Sequence, residues 1–330
     1  MSKFPVSLQD IRDAEERLSG VARVTPLLNN LELDRRLSGR VFYKPESLQH
    51  IGAFKFRGAY NRIVQIPEDQ RRFGVVAFSS GNHAQGVACA ASMLGINATI
   101  VMPSDAPKIK LEGTKALGAE VRLYDRYTES REQISADIAE ETGATLVPAF
   151  DDLDIIAGQG TVGLEIMGQL AATEVQADYL LSPVGGGGLM AGVSTAVKAI
   201  DPQLKVLGVE PEHYNDHGLS QAAGERVKVD GNTPTLCDSL MATTPGELTW
   251  SINGKLVDEF LSVSEEDVEH AISFAFRYLK LVIEPGGAVT LAALLQNKLS
   301  LDNKTAALIF SGGNIDSDLF ARCLEKYPSP

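Results

Sequence analysis

Gly52-Ala53-Phe54-Lys55-Phe56-Arg57-Gly58-Ala59-Tyr60 is the stretch from which the rest of the chain is read. A lysine between two phenylalanines faces an apolar pocket on at least one side, and burying an ammonium there lowers its pKa because desolvation disfavours the charged form. A neutral amine is a nucleophile, which is the condition for a Schiff base with a carbonyl cofactor such as pyridoxal phosphate. On this stretch alone an ordinary amphipathic helix, with Phe54, Phe56, Ala59 and Ile63 inward and Lys55 at the surface, explains the residues at least as well. The other segments decide.

Working outward, 330 residues exceed the usual single domain, so two compact α/β units sharing a cleft are expected. With 43 acidic against 30 basic residues the net charge is −13, and no Lys/Arg run reverses it locally, which argues against nucleic acid as a partner. Cys89, Cys237 and Cys323 lie far apart and form no CxxC, as suits a reducing compartment, so a cytoplasmic protein is expected. No stretch approaches 18 uninterrupted apolar residues and the N-terminus has no apolar signal core, so no membrane association is expected.

Ser7 caps a helix over Leu8 to Leu18, and Val41-Tyr43 reads as a short strand before the helix opened by the lysine stretch. From Gly74 strand and helix alternate: Val75-Phe78, Asn82 to Leu94, Ala98-Met102, Pro107 to Leu117, then Glu120-Leu123 and Thr145-Val147 around a helix from Thr128 to Glu141. A second alternation has strands at Tyr179-Val184, Val206-Val209 and Ala306-Phe310, with helices over Leu189 to Lys198 and Val263 to Leu279. Such alternation predicts parallel sheets covered by helices.

In parallel α/β sheets ligands lie outside the carboxyl ends of the strands. Three loops sit there: Ser79-Ser80-Gly81-Asn82-His83, Gly185-Gly186-Gly187-Gly188 and Ser311-Gly312-Gly313-Asn314. Four glycines between a strand and a helix leave backbone N–H groups bare, and the helix dipole adds positive potential, so the second loop reads as a phosphate cradle. It also satisfies a dinucleotide fingerprint, Gly186-x-Gly188-x-x-Ala191, with Glu210 available for a ribose hydroxyl. Pyridoxal phosphate accounts for more residues, since a dinucleotide enzyme gives no role to Lys55 or to the Ser-Ser-Gly-Asn-His loop. Glu210-Pro211-Glu212-His213-Tyr214-Asn215-Asp216 offers hard oxygen ligands in a tight bend. His213 and His217 leave a softer metal as an alternative.

These loops, with Ala53-Phe54-Lys55-Phe56-Arg57-Gly58-Ala59 and Ile155-Ile156-Ala157-Gly158-Gln159-Gly160-Thr161, resemble the fold-type II pyridoxal-phosphate family of serine/threonine dehydratases and serine racemases. The resemblance covers nearly the whole chain. It implies a two-domain fold like that of the tryptophan synthase β subunit, with residues 1–73 and 142–330 as the larger domain and 74–141 as a small mobile one. It implies that Lys55 binds the cofactor covalently, that Phe54 packs on the ring and that Asn82 meets the phenolic oxygen. Gly185, Gly186, Gly187, Gly188 and Leu189 would hold the phosphate, and Ser311 the pyridine nitrogen. It further implies a cation, Mg²⁺ or Mn²⁺ or Ca²⁺, on Glu210, Asp216 and the carbonyl of Tyr214, and a homodimer.

For the substrate, the resemblance points to Ser79, Ser80, Asn82 and His83. Ser80 stands where serine racemases and similar hydroxyaspartate dehydratases carry an acid/base opposite the lysine, and Arg131 resembles the arginine such enzymes direct at a second carboxylate, which arginine reads bidentately. Ala53 and Tyr124-Asp125-Arg126-Tyr127 look most like the hydroxyaspartate dehydratases. Cys237-Asp238-Ser239 and Glu284-Pro285-Gly286-Gly287 depart from the family pattern, so no role is carried over to Ser239 or Glu284. The expected reaction is elimination of water from 3-hydroxyaspartate to give oxaloacetate and ammonia. Serine or threonine dehydration, amino-acid racemisation and, outside this class, a dinucleotide enzyme or a non-catalytic binder are the alternatives.

Overall fold

Strand pairing sorts the chain into two sheets. The computed structural model describes residues 4–79, 81–106, 108–125 and 127–328. The larger sheet has the order β1 (Leu28–Asn29), β2 (Arg40–Pro45), β10 (Thr305–Phe310), β7 (Tyr179–Pro183), β8 (Lys205–Pro211) and β9 (Glu259–Val263). The smaller has the order β5 (Glu120–Tyr124), β4 (Ala98–Pro103), β3 (Val75–Phe78) and β6 (Thr145–Leu146). Among the described strands only the β1/β2 pair is antiparallel. This is the helix-flanked, parallel-rich α/β architecture that the alternation predicts. The last strand of the smaller sheet lies beyond Glu141, where the sequence reading ends the smaller unit.

The central strands are apolar runs for a physical reason. β7 is buried along its whole length, and β2, β8 and β10 are buried after their first residue, because helices cover both faces. The helix expected from Val263 starts instead at Glu265. Ser264 caps it reciprocally with Asp267, and Val263 closes β9, paired with Pro211.

The longest helix, Leu153–Ala172, lies over the motif from Ile155 to Thr161. Its glycines make a packing seam. A Cβ on Gly158 would lie 2.7 Å from Gly58 Cα, and one on Gly160 would lie 2.9 Å from the Gly192 carbonyl. The seam lets this helix approach two others at backbone distance: Lys55–Val64, which follows the lysine, and Gly188–Ile200, which follows the four glycines. One rod therefore fixes both candidate halves of a site. Arg57 anchors the first of these helices through a buried network, with Nε and Nη2 donating to Glu46 at 2.8 and 2.9 Å and Nη1 to Glu165 at 2.6 Å. Burial opposes the charge of Glu46, but Arg57, Thr25 and Lys44 outweigh it and hold the carboxyl below its ordinary range.

Candidate active site

Lys55 opens its helix at the edge of a cavity. Phe56, Ala59 and Ile63 turn inward as a helix face should, whereas the Lys55 Nζ lies 5.3 Å from the Phe54 ring centre and donates to the Ala149 carbonyl at 2.7 Å. Burial pushes its pKa down to about 8. The surface-lysine reading is thereby set aside.

The glycine loop forms the opposite wall. Gly187 takes φ 94° and caps the helix Gly188–Ile200, so the positive end of that helix faces the cavity. The protein crowds the loop closely. A Cβ on Gly187 would lie 2.7 Å from both Asn253 Nδ2 and His217 Nε2, one on Gly188 would lie 3.0 Å from Phe150, and the Gly186 carbonyl accepts from Thr249 Oγ1 at 2.8 Å. Phe54, Lys55, Asn82, Gly185 to Gly188, Leu189 and Ser311 all line this cavity. An amine of lowered pKa, an aromatic face and a bare N–H cradle suit an aldehyde cofactor that carries a phosphate. The dinucleotide reading fails at Glu210. That side chain is fully buried, and its two oxygens accept from the N–H groups of His217 and Gly218 at 2.9 Å, leaving no free acid at the strand end.

The cavity continues toward the smaller sheet, where Ser79, Asn82, His83 and Arg131 line it. Ser80 lies outside the described residues. Ser79 Oγ accepts from the Gly81 N–H at 3.2 Å. His83 is buried with Nε2 2.9 Å from the Val147 carbonyl, so Nε2 carries the proton; burial, then the Lys55 charge, pushes its pKa down to about 3. His83 thus stays neutral, presenting Nδ1 as an acceptor. Arg131 donates to Glu132 at 2.8 Å and stacks its guanidinium 5.2 Å from the Phe78 ring centre.

Several lining residues carry no sequence signal. Lys110 borders the cavity and pairs with Asp238, and Phe150 backs the glycine loop. Ser239 and Glu284, left without roles by the sequence reading, line both parts of the cavity. Glu284 is buried and accepts from Asn82 Nδ2 at 2.7 Å; burial, then repulsion from Asp238, pushes its pKa up to about 8.

A second cluster lies behind the glycine loop. Ligand atoms of Glu210, Asp216 and His217 fall within 4.8 Å of one another, all buried. Both Asp216 oxygens lack a hydrogen-bond partner. Burial raises the pKa of Glu210 and of Asp216, a cost that a bound cation would offset. Tyr214 is buried between them in sequence, its one hydroxyl proton shared between the carbonyls of Gly231 and Thr233 at 2.9 and 3.0 Å. Of the two histidines that leave a softer metal as an alternative, His213 is exposed, whereas His217 Nδ1 lies 3.6 Å from Glu210 and 3.5 Å from Asp216.

Residues 18–312 match the family described as "Pyridoxal-phosphate dependent enzyme". The chain belongs to that family. An L-threonine ammonia-lyase of Thermotoga maritima is 44% identical over 97% of this chain and 79% of its own length. An L-threo-3-hydroxyaspartate ammonia-lyase of Saccharomyces cerevisiae is 41% identical over 94% of each. The structure of maize serine racemase superposes with a TM-score of 0.91 at 36% identity, covering 98% of both chains. Pyridoxal phosphate is therefore the family's cofactor, and the chain is similar to ammonia-lyases that use it.

Proposed function

We propose that this chain eliminates water from a β-hydroxy α-amino acid, with 3-hydroxyaspartate as substrate and oxaloacetate plus ammonia as products. The observation that carries the choice of substrate is the pair of cations, Lys110 and Arg131, that line the same cavity as Lys55. A second carboxylate closed away from water needs such donors, since an unpaired buried charge costs several kcal/mol. Two relatives named L-threo-3-hydroxyaspartate ammonia-lyase, at 41% and 42% identity, support the same class.

Phe54, Lys55, Asn82, Gly185 to Gly188, Leu189 and Ser311 would hold the cofactor. When bound, pyridoxal phosphate supplies an aldehyde for the substrate amine and a ring that withdraws electrons from Cα. Lys55 Nζ, an amine whose pKa burial brings close to neutrality, then receives the Cα proton. The β-hydroxyl leaves with a proton as water, and hydrolysis of the unsaturated amine gives the 2-oxo acid and ammonia. Ser79, Asn82 and His83 would orient the substrate, and Ser80 is proposed as a second acid/base.

The same reading includes Mg²⁺, or Mn²⁺ or Ca²⁺, on Glu210, Asp216 and the Tyr214 carbonyl. It also includes a homodimer in the cytoplasm, and closure of residues 74–141 over the rest on substrate binding. Among the described helices none is long and apolar enough to cross a membrane. The 44% identity to an L-threonine ammonia-lyase favours L-threonine or L-serine dehydration as the second reading.

The test is turnover on the four 3-hydroxyaspartate stereoisomers, both serines and both threonines, following 2-oxo acid formation and product chirality. One hydroxyaspartate isomer should give the highest kcat/KM. A higher value on L-threonine or L-serine replaces the proposal with the second reading.

A further inference from the structure

The turn that delivers Lys55 is strained, and the loop after β10 grips it. Ile51 sits at φ 58°, a region that a β-branched side chain rarely adopts, and Gly52 follows at φ 70°. The Gly313 N–H donates to the Gly52 carbonyl at 2.9 Å, and the Phe54 N–H donates to the Ser311 carbonyl at 3.1 Å. Asn314 completes the grip through its amide nitrogen, which donates to the Ile51 carbonyl at 2.8 Å.

The same nitrogen reaches the cavity wall. Asn314 Nδ2 also donates to Asn82 Oδ1 at 2.8 Å, and Asn82 Nδ2 donates to Glu284 Oε1 at 2.7 Å. The direction of this relay is forced. A backbone carbonyl only accepts, so the end of Asn314 facing Ile51 must be its nitrogen. The end of Asn82 facing that nitrogen must then be its oxygen, which turns the Asn82 nitrogen toward Glu284 and the cavity. Asn314 uses both of its amide hydrogens; Asn82 uses one on Glu284 and keeps one.

We propose that Asn314 is a positioning residue, which sets the Asn82 amide so that an N–H rather than a carbonyl oxygen meets the cofactor's phenolic oxygen. This rests on the reading above that Asn82 contacts the cofactor. A flipped Asn82 would set oxygen against oxygen at that point.

Asn314→Asp tests it, because it keeps the shape and places an acceptor against two acceptors. The holoenzyme's visible absorbance band and its pyridoxal phosphate Kd are the readouts, neither of which a merely structural residue shifts in a partner-dependent way. Asn314→Asp should shift the band and weaken cofactor binding roughly tenfold, the scale of one buried hydrogen bond lost with its partner left unpaired. Combined with Asn82→Ala, the further loss should largely vanish, since the group through which Asn314 acts is gone. Additive losses, or a parental band in Asn314→Asp, overturn the proposal. An altered band in Asn82→Ala beside a parental Asn314→Asp overturns this proposal alone, whereas a parental band in Asn82→Ala removes Asn82 from the cofactor and both readings fall. Should Asn314→Asp not fold, Asn314→Ala runs the same cycle without the added repulsion and is judged by the same outcomes.

Discussion

At the scale of single residues, Arg131 separates the candidate substrates. It lines the cavity, rests on Phe78 and, among the described residues, pairs only with Glu132 beside it, so its fork is open to exchange for a substrate carboxylate. Losing a charged, desolvated partner costs roughly 2–5 kcal/mol. Its side chain is 50% exposed, which places the expected loss at the lower end, about 2 kcal/mol or roughly thirtyfold in kcat/KM. Serine has no second carboxylate. Arg131→Ala should therefore reduce 3-hydroxyaspartate turnover by that factor and serine turnover far less, while Arg131→Lys recovers part of the loss; equal losses on both substrates would make Arg131 a structural residue. Glu284 gives a pH test. Its folded pKa of about 8 lies above the ordinary value of 4.5, so between those pH values the native state holds a proton that the unfolded chain has lost. Its contribution to stability is present below pH 4.5 and declines as pH rises through about 8. Urea unfolding at pH 5 and pH 8 should show a smaller decline for Glu284→Gln than for the parent, and parallel declines would mean that the native carboxyl is ionised across this range.

At the scale of elements, what could be read from sequence was what is local. Lys55, the four glycines and Ser311 to Asn314 each lie in a short run beside a strand end or helix start, so their types and spacing carry the signal. In the sequence the helix Leu153–Ala172 reads only as a motif, because its inward glycines erase the apolar stripe that marks a helix. Lys110, Phe150 and Asn253 were not legible at all. Their roles exist only through partners far away in sequence, as Lys110 shows by pairing with Asp238, 128 positions on. The glycine seam can be tested directly. A Cβ at Gly192 would collide with the Ile156 carbonyl and the Gly160 nitrogen, whereas Gly168, in the helix Leu153–Ala172, has nothing within 4 Å. Gly192→Ala should cost about 1–3 kcal/mol by overpacking and weaken cofactor binding by shifting the glycine loop's helix. Gly168→Ala should stabilise by about 0.5–1 kcal/mol through helix propensity. Urea unfolding and cofactor titration measure both, and a neutral Gly192→Ala would mean that the two helices can separate without consequence for the site.

At the scale of the whole molecule, the Glu210, Asp216 and His217 cluster links the larger sheet to the glycine loop. Asn253 Nδ2 lies 3.3 Å from His217 Nε2 and donates to the Gly187 carbonyl at 3.1 Å. Burying two carboxyls side by side, one of them with both oxygens unpartnered, destabilises the fold unless positive charge joins them. A cation that binds the native state alone stabilises it by mass action, by about 2.7 kcal/mol at a hundredfold excess over Kd. Chelation should therefore lower both the melting temperature and turnover, and Mg²⁺ should restore both; Mn²⁺ and Ca²⁺ are compared in the same titration. Glu210→Ala should melt lower than the parent and respond to neither chelator nor cation. If that variant shifts with chelator and Mg²⁺ as the parent does, the cation acts elsewhere, and His217 between the two acids is left as their sole counterweight.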